Sequence, residues 1–386
     1  MPGMGEDVLN HTWGWEEVSP VTLSNDWSRV ARLLTVAGLA VVGSLGNVYM
    51  ISAVMIEDHL KKRGNTFIVN VALADLLVTG VVMPSSAVVI LAGLDRHPGG
   101  AVQVCHVQWF LALVSWMVTV LSLASAAAEN YARLCLSPQV YAKLTTARIT
   151  TAVLSIWIVC TVLAAMQQAY DLGPDYCTRK KAGILPYQAT VAAVFFIFPA
   201  LLTVIFYGRA IRQVRLAKAH PSFKPPVAFS WDYSLMWTNM YSYFLFFAFW
   251  LPFGIILFVG SINKVSAKLF YNLAWLALSK SCVNNFLYCT IDRHFRNAYV
   301  NLFHYCCCKT TVTFSRRSRA EAARPSGDVR VHIIPGYNMY SYTSPQRAAE
   351  RLGAKGAGGA SSSSKRAAAL SRQPRSQSSS RDVYEL

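Results

Sequence analysis

Apolar residues along the chain fall into seven long runs that are separated by short polar connections. The runs cover residues 33–56, 65–91, 106–131, 149–170, 182–208, 233–263 and 269–291. Each reaches the roughly 20 residues that a helix needs to cross about 30 Å of hydrocarbon. Because a bilayer offers no water to satisfy backbone groups, such runs must be helical. The pattern predicts an all-α membrane protein with a bundle of seven transmembrane helices.

The composition supports this interpretation. Of the 386 residues, 54% are hydrophobic and only 14% are charged, whereas soluble domains carry about 25% charged residues. The loops contain no catalytic triad, phosphate-binding loop or spacing typical of metal ligands. We therefore expect neither an enzyme nor a cofactor or metal site.

Basic residues in the connections predict the orientation. Lys and Arg follow the first, third and fifth runs, and such loops lie on the cytoplasmic side. We expect residues 1–31 to be extracellular, without a signal peptide, and the protein to reside in the plasma membrane. Asn10 begins an Asn-His-Thr sequence that predicts glycosylation on the outer side. Cys105 and Cys177 are expected to pair there, because they are the two cysteines outside the membrane on the oxidising side.

Two further regions follow the predicted bundle of residues 32–291. Residues 292–308 form a short amphipathic stretch that ends in three cysteines, which favours palmitoylation of Cys306, Cys307 and Cys308. Residues 309–386 are basic and rich in Ser, Ala and Gly, which predicts a disordered cytoplasmic tail. We expect this tail to contact membrane lipid rather than nucleic acid, and to offer a carboxyl-terminal PDZ ligand.

Six of the seven runs carry landmark residues in a fixed order, Cys105 stands just before the third, and one landmark follows the last run. They are Gly46 and Asn47, Asn70 to Asp75, Trp157, Pro199 and Tyr207, Phe246, Trp250 and Pro252, and Asn284, Tyr288 and Phe295. Together with the two cysteines, they resemble the rhodopsin-like (class A) G-protein-coupled receptors over about residues 30–308. The stretch from Glu129 to Cys135 is loosely similar to the melatonin receptors. The resemblance implies a receptor that signals to a heterotrimeric G protein and whose tail binds arrestin once phosphorylated.

Polar residues on separate apolar helices are expected to meet in one cluster at mid-depth. Its predicted members are Asn47, Asp75, Thr119, Lys280, Ser281 and Asn284. Most members of the family hold a sodium ion beside the second-span aspartate. We expect the ammonium group of Lys280 to take that place beside Asp75, because an unpaired lysine in the bilayer core is costly. The alternative is that Lys280 points away and reaches the interface.

The chain departs from the family pattern at the end of the third run. Asn130 stands between Glu129 and Tyr131, where the family usually has an arginine that meets acids at rest and the G protein when active. Arg133, four residues after Glu129, is spaced for a helical ion pair and is a candidate substitute, with Asp232 as its second acid. A proline of the seventh span is replaced by Asn285. Both changes place G-protein coupling in question.

Proline and aromatic residues predict a lever in the sixth run. Pro252 removes a backbone hydrogen bond and permits a bend, so that Trp250 and Phe246 could move with it; the alternative is that these rings only pack. Tyr207 and Tyr288 complete the expected activation residues by resemblance.

Two residues disfavour two known classes of ligand. Receptors for amines in this family bind them through an aspartate, and this chain has Ala112 at that position. Opsins bind retinal through a lysine, and this chain has Leu278 there. The aromatic lining predicts a small, largely apolar or lipid-like ligand, and aromatic packing without a conventional ligand is the alternative. The expected pocket residues are Trp109, Phe110, Ala112, Trp116, Tyr187, Phe253 and Phe270.

Three functions remain open at this point. The first is a ligand-gated receptor that activates a G protein, and the second is an atypical receptor that acts through arrestin or scaffolding. The third is a transporter, which would require an internal repeat or a row of ionisable residues; the sequence has neither.

Overall fold

The computed structural model describes residues 19–24, 26–57, 60–61, 65–94, 101–179, 183–223, 227–260 and 265–307. Eight helices are numbered here in chain order, and the described residues contain no strand. They are α1 (Arg29–Ile56), α2 (Thr66–Ala92), α3 (Val102–Cys135), α4 (Thr146–Ala169), α5 (Leu185–Ala219), α6 (Val227–Gly260), α7 (Ala267–Ile291) and α8 (Arg293–Cys307). Asn10, Cys308, the side chains of Cys306 and Cys307, and the tail lie outside the described part.

Six of these helices, α1 to α6, are long and apolar enough to cross a membrane. The seventh, α7, is also long enough with 25 residues, but it is not among the six. Its polar residues Lys280, Ser281, Asn284 and Asn285 make α7 less apolar than the other six helices. All four are buried, so they face the bundle instead of lipid.

The helices pack around α3. This helix contacts α2, α4, α5 and α6, while α1 packs against α2 and α7, and α6 packs against α7. Helix α4 lies at the outside of the bundle, and every fourth side chain from Leu154 to Met166 is exposed. Because this stripe is apolar, it suits contact with lipid. The predicted all-α bundle is confirmed.

Prolines shape α2 and α5 in the same way. A π-helical turn, Val78–Val82, precedes Pro84 in α2, and another, Ala193–Ile197, precedes Pro199 in α5. A proline lacks the N–H group and crowds the preceding turn, and a π turn widens the helix at that point. Pro252, in contrast, lies inside an uninterrupted α6.

The bundle has two distinguishable ends. One carries the disulfide between Cys105 and Cys177, which confirms the predicted pair, and is called the disulfide end below. The other, the Arg133 end, holds the last turns of α3 and the start of α6. There Asp292 ends α7 and caps α8 by accepting hydrogen bonds from the backbone N–H groups of His294 and Phe295.

The chain divides into two compact units, and the first holds all described residues up to Val300. The described part of the second unit is the last two turns of α8, residues 301–307, which are helical.

Candidate functional site

A cavity opens in the bundle near the disulfide end. It is lined by Pro20, Val82, Gln108, Trp109, Ala112, Tyr176, Trp250, Phe253, Ala274, Trp275 and Leu278. Its volume is about 20 Å³, which is room for about one water molecule. Ligand pockets for small molecules are usually about 300–1,000 Å³, so the cavity in this arrangement is nearly full.

Two features of the chain fill the cavity from the disulfide end. The first is the segment of residues 19–24, in which Pro20 reaches the cavity wall. The second is Tyr176, whose ring stacks on Trp109 with 4.5 Å between the ring centroids. The Tyr176 residue adjoins Cys177, so the disulfide to Cys105 holds this aromatic ring over the bundle.

Tyr176 is buried. Its hydroxyl donates a hydrogen bond to the carbonyl of Pro20 at 3.3 Å, and its own carbonyl accepts one from the Tyr271 hydroxyl at 3.0 Å. Burial raises the pKa of the Tyr176 hydroxyl. The group therefore stays neutral and remains a donor across the physiological pH range.

The structure places three of the seven expected pocket residues in the cavity wall, namely Trp109, Ala112 and Phe253. Phe270 lies beside the wall, 5.4 Å from Phe253 between centroids. Trp116 also lies behind the wall, 6.2 Å from Trp250 between centroids. The other two lie elsewhere: Phe110 packs in a separate apolar cluster with residues of α4, and Tyr187 donates to Gln167.

Eight of the eleven wall residues were not among the expected pocket residues, and four of them show why. Pro20 and Tyr176 lie in irregular segments without periodicity, and Trp275 and Leu278 belong to α7. A helical-face argument from Phe270 and Tyr271 could have found the last two, since residues four and seven positions later share the same face.

Below the cavity, Lys280 and Asp75 meet in the core. The Lys280 ammonium lies 3.0 Å and 3.1 Å from the two carboxylate oxygens of Asp75, and both side chains are 1% exposed. The Ser281 hydroxyl donates to the same carboxylate at 2.9 Å. The Lys280 ammonium also lies 5.8 Å from the centre of the Phe246 ring. The lysine is therefore turned inward and is paired.

Other members of the expected polar cluster join neighbouring helices. The Asn47 amide donates to the carbonyl of Ser281 at 3.1 Å, which ties α1 to α7. Asn284 accepts a hydrogen bond from the Ser242 hydroxyl of α6 at 2.7 Å. Thr119 is buried, but its hydroxyl has no hydrogen-bond partner among the described residues. Hydrogen bonds thus connect four of the six expected residues, namely Asn47, Asp75, Lys280 and Ser281, while Asn284 bonds to α6 instead.

At the Arg133 end, one guanidinium group joins two acids. Arg133 forms an ion pair with Glu129 on its own helix and with Asp232 of α6 at 3.5 Å. All three side chains are at most 7% exposed. The Tyr141 hydroxyl, in the connection after α3, donates to Glu129, and burial raises the pKa of Tyr141. We call the contact from Glu129 through Arg133 to Asp232 the Arg133 bridge.

The neighbouring activation residues lie around the bridge. Asn130 is buried, with 2% of its surface exposed. Tyr131 packs on Phe206 of α5 with 5.7 Å between centroids, and Tyr207 is buried in the same apolar cluster. Tyr288 donates to Asn239 of α6 at 2.8 Å. No group of three or more His, Cys, Asp or Glu side chains that could hold a metal ion occurs in the described part of the chain.

Comparison with known proteins decides the family. The model of the family described as 7 transmembrane receptor (rhodopsin family) matches residues 46–288. The chain belongs to this family. It is therefore a G-protein-coupled receptor and a multi-pass membrane protein, not an enzyme.

The individual relatives share a low sequence identity with this chain. Over 343 residues, the chain is 28% identical to melatonin receptor type 1B-B of Danio rerio, covering 81% of this chain and 95% of the relative. It is 27% identical to melatonin receptor type 1A of Mus musculus, with coverage of 78% and 87%. The identity to the substance-K receptor of Mesocricetus auratus is 25%, with coverage of 79% and 83%. The loose similarity to melatonin receptors is confirmed.

Proposed function

We propose that the protein is a cell-surface receptor that transmits an extracellular signal to a heterotrimeric G protein, with the disulfide end outside. The disulfide supports this orientation, because disulfides persist on the oxidising side of a membrane. The aromatic cavity wall favours a small, largely apolar ligand. Melatonin receptors are among the relatives, which is consistent with this class of ligand.

The observation that carries the proposal is the Arg133 bridge. The family pattern places an arginine at position 130, and this chain has Asn130 there instead. One helical turn later, Arg133 makes the two acidic contacts that hold α3 against α6. Because both pairs are buried, screening by solvent is weak. The bridge provides a resting state that an activating ligand has to break.

A continuous set of contacts connects the cavity with the core. Trp250 lines the cavity and lies 6.2 Å from Phe246 between ring centroids. Phe246 in turn lies beneath the ammonium group of Lys280, which is paired with Asp75. Pro252, two residues after Trp250, weakens the backbone of α6 at this level. A ligand that displaces Trp250 therefore acts on α6, whose far end carries Asp232.

The test uses G-protein dissociation sensors in cells, without added ligand. We expect Arg133→Ala and Asp232→Asn each to change basal G-protein dissociation severalfold relative to the wild type, because each removes one side of the bridge. The matched control is Arg148→Ala, an exposed residue that donates to the carbonyl of Lys143 and takes no part in the bridge. If both bridge variants match the wild type across the whole G-protein panel, the proposal is wrong.

A second candidate is an atypical receptor that couples weakly and acts through arrestin or scaffolding. Two departures from the family pattern favour it. Asn130 stands where the family has an arginine, and Asn285 stands where the family has a proline. The first change removes the guanidinium group that meets the G protein in the family, and the second alters the bend expected in α7. Arrestin recruitment without G-protein dissociation would favour this candidate.

The remaining proposals concern regions outside the described residues. They are glycosylation of Asn10, palmitoylation of Cys306, Cys307 and Cys308, contact of the basic tail with anionic lipid, and a PDZ partner for the carboxyl terminus. Their support is the sequence alone.

A further inference from the structure

The segment of residues 19–24 is buried although it forms no helix or strand. Val21 and Thr22 are 0% exposed, and Ser19 and Ser24 are each 5% exposed. Val21 belongs to the same apolar cluster as Trp109, Phe253 and the residues of α7 that line the cavity. A segment that only passed over the surface would leave these side chains in water.

The bundle binds this segment through polar contacts as well. The Tyr176 hydroxyl donates to the carbonyl of Pro20 at 3.3 Å, and the Arg32 guanidinium donates to the Thr22 hydroxyl at 3.2 Å. Pro20 has no N–H group to satisfy, and its ring contributes to the cavity wall. An apolar surface with a few convergent donors is the usual form of a ligand site.

We propose that the cavity binds the segment of residues 19–24 as a built-in peptide ligand, which the small, largely apolar ligand proposed above must displace. The inference rests on the proposed receptor function and identifies what occupies its ligand site. The small remaining volume of the cavity agrees with it, because a molecule larger than about one water does not fit beside the segment.

The segment is covalently attached to α1, so it is always close to the cavity. Thr22 lies seven residues before Arg29, where α1 begins. Between them, Asp26 forms an exposed ion pair with Lys268 at the start of α7. A short tether gives an effective concentration in the millimolar range. Even a weakly binding segment therefore fills the site.

The bound segment accompanies the resting state. In the same structure the Arg133 bridge is closed, while Pro20 lies in the wall that also contains Trp250. We expect the segment to oppose activation, so that weakening its binding raises basal signalling. A free ligand would activate by taking its place.

The first experiment measures occupancy and needs no signalling. Val21→Cys and Trp27→Cys are introduced separately into the full-length receptor and labelled on intact cells with a membrane-impermeant maleimide. Trp27 is the matched control, because it lies on the same stretch but is 51% exposed. We expect Val21→Cys to react at least tenfold more slowly than Trp27→Cys. Adding Tyr176→Phe, which removes one hydrogen bond and keeps the ring, should accelerate the Val21→Cys reaction. Equal rates for the two cysteines would overturn the proposal.

The second experiment measures the role of the segment as a ligand. A variant in which Pro20, Val21 and Thr22 are all changed to Gly keeps the tether but loses the binding side chains. We expect a severalfold rise in basal G-protein or arrestin signal and a lower melting temperature of the purified receptor. The synthetic peptide Ser-Pro-Val-Thr-Leu-Ser at millimolar concentration should reverse both changes, whereas a scrambled peptide should not.

The two experiments separate the possible failures. A shielded Val21→Cys together with a triple variant that signals and melts like the wild type would mean that the segment is a passive cover, and the ligand proposal would be wrong. If no variant and no wild-type receptor signals, the receptor proposal fails, while slow labelling and a peptide-dependent melting temperature would still support the peptide site.

Discussion

Lys280 and Asp75 form an ion pair at 3.0 Å in the centre of the bundle, where each side chain is 1% exposed. Neither residue would be tolerated there alone, because an isolated charge in a low-dielectric interior carries a large desolvation cost. Removing one partner of such a pair typically costs about 3–5 kcal/mol, since the other charge stays buried and uncompensated. The two residues are therefore expected to depend on each other.

We predict that Lys280→Ala and Asp75→Asn each lower surface expression, and that the double variant recovers part of the loss. Surface labelling of an amino-terminal epitope measures the effect. Lys268→Ala is the control on the same helix: this lysine is 54% exposed, and exposed pairs contribute only about 0–1 kcal/mol. Strictly additive losses in the double variant would show that the two residues do not interact.

The same pair predicts insensitivity to sodium. Both carboxylate oxygens of Asp75 already accept hydrogen bonds from Lys280, and Ser281 donates to one of them, so a cation has no free anionic partner there. Replacing sodium by an equal concentration of a large organic cation should leave the basal signal of the wild type unchanged. A sodium-dependent signal in the wild type would contradict the prediction.

Asn130 gives a prediction on coupling. We expect Asn130→Arg to raise G-protein dissociation severalfold, because it restores the guanidinium group that the family pattern places there, in reach of the G protein. The sensor panel measures it at matched surface expression. The variant Asn130→Gln controls for size without charge and should behave like the wild type. Strong coupling by the wild type that Asn130→Arg leaves unchanged would refute the idea.

Much of the fold and part of the site follow from the sequence for physical reasons. Long apolar runs have only one stable form in a bilayer, which accounts for α1 to α6. The inward direction of Lys280 was predictable because an ammonium group in an apolar run requires an acid, and Asp75 is the acid at comparable depth. The spacing of Glu129 and Arg133 indicated their pairing in the same way.

The cavity was predicted less well. Residues 19–24 carry no period and no charge, so no sequence pattern indicates that Val21 is buried or that Pro20 reaches the cavity. Depth along α3 predicts Phe110 in the pocket, but its ring packs with residues of α4. Trp116 contacts the wall residue Trp250 without lining the cavity itself. In a helix that is apolar on every side, the pattern of residues does not show which side faces the cavity. That orientation depends on packing with the neighbouring helices.

The tail gives a prediction that rests on composition. Residues 361–364 and 376–380 are dense in serine, and each phosphate would add about 1.5–2 negative charges. Such a change would convert a basic segment into a ligand for arrestin. Truncation after Thr313 should abolish arrestin recruitment in a proximity assay while surface expression is retained. Replacing only these serines by Ala should have the same effect, and full recruitment by either variant would contradict it.

Gly46 and Asn285 give the last prediction, which concerns the contact between α1 and α7. A Cβ atom added at Gly46 would lie 2.7 Å from the side-chain nitrogen of Asn285 and 3.1 Å from its Cβ. These distances are shorter than normal van der Waals contacts, and the Asn285 side chain is buried. Overpacking of this kind typically costs about 1–3 kcal/mol. We expect Gly46→Ala to lower the melting temperature of the purified receptor by several degrees.

The chain offers both a control and a rescue for this variant. Gly38 lies on the same helix with no atom within 4 Å of an added Cβ, so Gly38→Ala should be neutral or slightly stabilising, because alanine favours the helix over glycine by about 1 kcal/mol. Asn285→Ala removes the obstructing amide together with two buried polar atoms that have no partners among the described residues. The double variant Gly46→Ala and Asn285→Ala should therefore melt above Gly46→Ala alone. Equal melting temperatures for Gly46→Ala and Gly38→Ala would show that α1 and α7 are not in close contact at this level.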